Sequence, residues 1–185
     1  MAYNSLRSKL NRAVAAHLVN VGGDCGTVKN ISSANSVAAL GYPNTKVQAV
    51  FSKPEVPLTG VRRVTVHITI KGKVSTKVGD PNEEAARVQF DKRVAAAYDA
   101  MMQSDDGHSL KATAALITAA GRALAVPVDE SDEAEQFAAN NADMAAFTCQ
   151  EVYDAGEGEG EPDKEGSSWI EVLIFEIVAS PSNCD

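Results

Sequence analysis

The segment Ser167–Ser180, SSWIEVLIFEIVAS, limits what this chain can become more than any other stretch. In an extended strand, successive side chains point to opposite faces. Ile170, Val172, Ile174 and Val178 then line one face, and Trp169, Leu173, Phe175 and Ile177 line the other. Glu171 and Glu176 interrupt opposite faces. A strand apolar on both sides needs cover on both sides. At a rise of about 3.3 Å per residue it would run near 40 Å, beyond the ordinary strand length.

The cover has to come from the rest of the chain, and the hydrophobic spacing says where. Leu6, Leu10, Ala13, Val14, Leu18 and Val21 recur at helical spacing, with Arg7, Lys9 and Arg12 opposite. This predicts a helix over 4–20, stopped by Gly22 and Gly23, with its basic triplet read as a solvated face. Residues 22–46 are polar and rich in Gly, Asn and Ser, a long loop with room for a short helix at SANSVAAL. KVQAVF is a short strand closed by Pro54 and Pro57. In VRRVTVHITIKGKVS, Val64, Val66, Ile68 and Ile70 alternate with Thr65, His67 and Thr69, the pattern of a half-buried strand.

Asp80, Pro81 and Glu83 spell a helix start. Phe90, Val94, Ala97, Tyr98 and Met101 form the buried stripe of that helix. A third helix is capped by Ser109, carries Leu110, Ile117 and Leu124, and ends before Pro127. Residues 129–143 are acidic and broken, worth one short helical turn, and 144–153 form a further strand. The fold class is therefore α+β. One domain over 1–185 holds an antiparallel or mixed sheet of about four strands, with amphipathic helices packed on one face. Three helices suffice for one face of the last strand, and a neighbouring subunit is expected on the other.

The acidic stretch before that strand, DAGEGEGEPDKEG, invites two chemical readings. A phosphate cradle aims backbone N–H groups at an anion and leads into a helix. Here Glu157, Glu159 and Glu161 would repel phosphate, and a strand follows. A calcium loop begun at Asp154 would have glycines at 156 and 158 where ligands belong, and Glu159 where the turn needs glycine. A solvated hairpin loop over 154–167 fits best, with a weak cation site left open.

Other chemistry is thin. Cys25, Cys149 and Cys184 are distant and odd in number, so neither a disulfide framework nor a metal knuckle follows. Cys25 in GGDCG would need a base, and His17, His67 and His108 sit in no nucleophile pattern. No sequence motif for a cofactor, metal or catalytic site occurs, and the reading is not an enzyme. The net charge of −8 argues against a general nucleic-acid surface, because such affinity comes from cations at phosphates. It leaves room for an acidic surface past which DNA slides. No apolar run is long enough for a membrane span. The first 22 residues share the charge pattern of an organellar presequence, but their apolar spacing is read as a helix kept in the fold.

What remains is an interaction protein. Arg62 and Arg63 open a strand, where charge protects an edge or faces a subunit. Together with Trp169, Glu171, Leu173 and Phe175 they form the expected oligomer or partner interface.

The order of elements carries a resemblance: an amphipathic helix, strands at TKVQAVF and RRVTVHITI, the helix EEAARVQFDKRVAAAYDAMM, an acidic turn and a tryptophan-led last strand. In this outline the chain resembles the tail terminator family of long-tailed bacteriophages, small α+β proteins that form a ring at the head-proximal end of the tail tube. The likeness covers about three quarters of the chain and rests on element order, not on a chemical motif. The 22–46 loop and the helix at 109–125 have no counterpart in it. It implies a virion neck protein assembled in the host cytoplasm into a homo-oligomeric ring, such as a hexamer. Its partners would be the tail tube protein and the head connector, with DNA passing through the lumen unbound. Other head-completion or minor capsid proteins stay open. So do a small cytoplasmic module gripping a basic partner and a hydrolase using Cys25 or His108.

Overall fold

The computed structural model describes residues 6–21, 28–30, 44–54, 61–73, 79–102, 111–158 and 168–180. Its elements are helix α1 (Leu6–Val21), strands β1 (Val28–Asn30), β2 (Asn44–Pro54) and β3 (Arg62–Lys73), and helices α2 (Glu83–Met101), α3 (Lys111–Ala123) and α4 (Asp132–Asn140). A 3-10 helix over Ala142–Ala146 leads into β4 (Thr148–Gly158) and β5 (Ser168–Ser180).

The strands form one sheet in the order β1-β2-β3-β5-β4. The four long strands pair antiparallel, and the three-residue β1 adds to β2 in parallel. This is the expected α+β architecture. The apolar strand β5 sits between β3 and β4, where both of its backbone edges are hydrogen-bonded.

Register decides which side chains share a face. Val64, Val66, Ile68 and Ile70 of β3 stand opposite Ile177, Phe175, Leu173 and Glu171 of β5. Val47 and Ala49 of β2 and Val152 of β4 join them on that face. The three longer helices pack there: α1 on β1 and β2, α2 on β3 and β5, and α3 on α1 and β4. Leu10, Ala13, Val14 and Leu18 of α1 and Ile117 of α3 are almost completely buried against it. Burying a side chain of this size is worth about 1.5–3 kcal/mol, so this layer supplies most of the driving force.

Polar contacts fix the helices where the sheet is irregular. β2 bulges between Ala49 and Phe51, and the Ala49 N–H donates to Asn11 Oδ1 of α1 at 2.6 Å. β4 bulges near Cys149, whose N–H donates to Thr118 Oγ1 of α3 at 2.8 Å. Arg122 Nε, one turn further on, donates to the Phe147 carbonyl at 3.0 Å. These two α3 side chains cover the entry of edge strand β4, which would otherwise offer its backbone for pairing.

Several boundaries differ from the sequence reading. Residues 129–143 hold a real helix, α4, followed by a 3-10 turn. Ser131 caps α4 by accepting the Ala134 N–H at 3.2 Å, and Asp132, Glu133 and Glu135 complement the first-turn dipole. α2 starts at Glu83 because the Asp80 carboxylate accepts the Asn82 N–H, making a tight turn of Pro81 and Asn82 before the first helical bond. β2 begins two residues before the expected KVQAVF, β1 falls inside the expected 22–46 loop, and the rest of that loop with SANSVAAL lies outside the described residues.

The acidic hairpin changes most. β4 starts at Thr148 rather than 144 and runs to Gly158, so GEG is strand, not loop. A second bulge between Asp154 and Gly156 makes this possible. Gly156 sits at φ 98°, a conformation that glycine alone adopts without strain, and its N–H donates to Asp154 Oδ1 at 2.8 Å. Residues 159–167 lie outside the described residues, and with them most of the cation question.

Candidate functional site

The six expected interface residues divide. Arg62 and Arg63 are exposed at the start of β3. Leu173 and Phe175, by contrast, are buried under the chain's own helices. Phe175 packs against the Tyr98 ring of α2, with centroids 6.3 Å apart. These two are core residues, and burial removes them from a partner-facing surface. Trp169 and Glu171 lie on the same helix-covered side and are half-buried. Trp169 packs at a tilt against Phe90 of α2, with ring centres 6.0 Å apart, over Gly72, where a Cβ would come within 2.8 Å of Phe90 Cδ2. Alternation thus separates the two faces of the apolar strand, but of the six expected residues Trp169, Glu171, Leu173 and Phe175 lie on the face that the chain's own helices cover, and Arg63 lies on the other.

The other face carries no described helix. Down its centre run Ile170, Val172, Ile174, Glu176 and Val178 of β5. Beside them on β3 stand Arg63, Thr65, His67, Thr69 and Lys71, with Lys46 and Gln48 on β2. Glu151 and Tyr153 flank them on β4. Val172 and Val178 are buried, whereas Ile170 and Ile174 are half-buried. At one end, Arg63 Nη1 reaches Glu176 Oε2 at 3.1 Å and its guanidinium lies 5.6 Å from the centre of the Tyr153 ring. Tyr153 in turn donates its hydroxyl hydrogen bond to Glu151. At the other end, Lys46 and Lys71 make that end of the face basic. No described carboxylate pairs with either lysine. Alternation of β3 with polar residues was the available signal that this face is the wetter one.

The basic triplet of α1 also behaves differently from a solvated face. Arg7 is exposed, but Lys9 is only 7% exposed. Lys9 Nζ donates to the Asp143 carbonyl at 3.2 Å and lies 3.7 Å from its carboxylate. Arg12 reaches Asn141 Oδ1 at 2.6 Å and Asp143 Oδ2 at 3.4 Å. The cations therefore tie α1 to the 3-10 turn. No local spacing gives this away, because the partners lie about 130 positions apart.

Of the nucleophile candidates and their possible bases, only His17, His67 and Cys149 fall among the described residues, and these three lie apart. His17 is buried and donates from Nε2 to the Ala100 carbonyl at 2.8 Å, joining α1 to the end of α2. Burial pushes its imidazole below the ordinary value, against the opposing pull of that hydrogen bond. His67 lies half-buried on the helix-free face, also lowered by burial. Cys149 is buried, and burial pushes its thiol up to about 12, leaving it protonated and unreactive at neutral pH. Cys25, His108 and Cys184 lie outside the described residues. Among the described residues no group of three or more His, Cys, Asp or Glu side chains is placed to hold a metal ion.

One small cleft of about 270 Å³ opens between α2 and β4, lined by Tyr98, Asp154, Gly156, Leu173 and Phe175. Tyr98 donates to Asp154 Oδ2 at 2.9 Å across it, so its polar groups already satisfy each other. Among the described residues no helix is long and apolar enough to cross a membrane. No family model matches the chain, and no curated protein matches it either.

Proposed function

We propose that this chain is a structural assembly protein of the phage virion, a tail terminator-like neck component that closes into a ring on the tail tube. One observation carries the reading. The central strand β5 is apolar on both faces, and described helices cover only one of them. The second face offers Ile170 and Ile174 between charged rims, a layer that a further copy of the chain can cover. Repeated head to tail with a closing rotation, such a contact makes a ring rather than a filament. The net charge of −8 suits a lumen through which DNA moves without adhering. In this role the protein works by geometry, capping the tube and offering a surface to the head connector, and it is not an enzyme.

The test is native size. Sedimentation across a concentration series and negative-stain images, with and without tail tubes, are expected to show a closed ring of several copies. A monomer at every concentration, with no ring on tail tubes, overturns the reading. Salt-sensitive binding to a cationic protein without self-assembly would point to the small binding module instead.

A further inference from the structure

Helix α4 is set apart from the body of the protein. It touches the described structure mainly through the 3-10 turn that follows it, and Ala138 is its only buried residue. Asp129, Glu130, Asp132, Glu133 and Glu135 are all exposed along this segment. Within the same stretch Phe137 is 52% exposed and Val128 is 91% exposed. Ala134 and Ala138 face the body, while Glu133 and Phe137, four residues apart, stack on the adjoining side. An acidic helix that presents an aromatic side chain has the form of a docking element for a surface that is both basic and apolar.

The chain carries such a surface on the helix-free face of its own sheet. Lys71 stands directly opposite Ile170 in the β3–β5 register, and Lys46 lies on the neighbouring strand β2. Side chains paired across two strands sit about 5 Å apart. Helical side chains four apart are separated by about 5–6 Å. The acid–aromatic pair on α4 therefore matches the base–aliphatic pair on the sheet in both spacing and chemistry.

We infer that α4 of one copy docks on the helix-free sheet face of the next, with Glu133 meeting Lys71 and Phe137 meeting Ile170. The inference rests on the self-assembling reading above and names the contact that makes it. Because the donor and acceptor surfaces differ, the contact is head to tail and each copy uses both. Lys46 receives Glu130, an exposed acid in the bend just before α4. The half-buried Ile170 of this face then becomes fully covered only in the assembly.

Charge exchange tests this. E130K/E133K gives the helix the sign of the sheet, and K46E/K71E gives the sheet the sign of the helix. Each variant alone is expected to weaken self-association by at least about tenfold in sedimentation, since like charges then face each other. An equimolar mixture is expected to restore it, because every contact in an alternating ring is again between opposite charges. Circular dichroism checks folding, and the milder K46Q/K71Q, expected to weaken association less, serves if the reversed sheet does not fold. If the natural chain assembles while reversal changes nothing, or the mixture behaves like its parts, the contact is wrong and the ring reading survives. A natural chain that never self-associates overturns both.

Discussion

The two faces of β5 are built from the same kinds of residue and lead to different ends. On one, Leu173, Phe175 and Ile177 lie at 4% exposure or less beneath α1 to α3. On the other, Val172 and Val178 are buried but Ile170 and Ile174 only half-buried, and Arg63, Glu176, Tyr153 and Glu151 form a surface network. Apolar content alone does not say which face a protein keeps for its own core. The neighbouring strand does: β3 sends Val64, Val66, Ile68 and Ile70 to the covered side and Thr65, His67 and Thr69 to the other. A face that is apolar on one strand and polar on the next belongs to contacts that must also tolerate water.

The largest effect should come from breaking the covered face. Phe175→Ala is expected to cost about 3–5 kcal/mol, by lost transfer energy and the cavity left beside Tyr98. Ile174→Ala, one residue away on the other face, should cost only about 1 kcal/mol in the isolated chain. Urea midpoints compare the two, and equal costs would erase the distinction between the faces. Asp143→Ala comes next, at about 1–3 kcal/mol, because it strips the carboxylate from buried Lys9 and from Arg12. The Asp143 side chain is 27% exposed, which keeps the figure below that of a fully buried pair.

A pH series sharpens the same contrast. His17 has a folded pKa below its unfolded value of 6.5, so the unfolded chain binds the proton first. The stability that neutral His17 contributes is present above 6.5 and is lost as pH falls from there through the folded value. The slope in that window should be no steeper than about 1.4 kcal/mol per pH unit. His67 acts in the same direction, so the check is the difference between the natural chain and His17→Gln, which should flatten part of the slope. The smallest effect belongs to the exposed pair: Arg63→Ala should change monomer stability by no more than about 0.5 kcal/mol.

Much of the fold was legible because periodicity is a local signal. The spacing of Leu10, Val14 and Leu18 marked the buried side of α1, and alternation marked β3. α4 was legible too, through Ser131 and the three acids after it, but its low apolar content hid it among loop residues. The GEG of β4 read as loop because glycine usually breaks a strand, and only the bulge at Asp154 shows why it does not here. The helix-free face was harder. Its identity depends on which way the helices fold over, and that is fixed by long-range contacts such as His17 to Ala100 and Lys9 to Asp143. No window of sequence contains both ends of either contact.

The pairing of β3 with β5 carries one more consequence, for the time course of folding. Arg62 pairs with Ala179 and Lys73 with Ser168, so the two middle strands meet across about 100 residues of intervening chain. During synthesis, β2 and β3 can zip together early, but β3 then waits with a bare edge while α2, α3, α4 and β4 are made. Only when Ala179 has left the ribosome can the sheet close across its centre. Until then the unpaired backbone edge of β3, beside the apolar row Val64, Val66, Ile68 and Ile70, is open to pairing with a wrong strand.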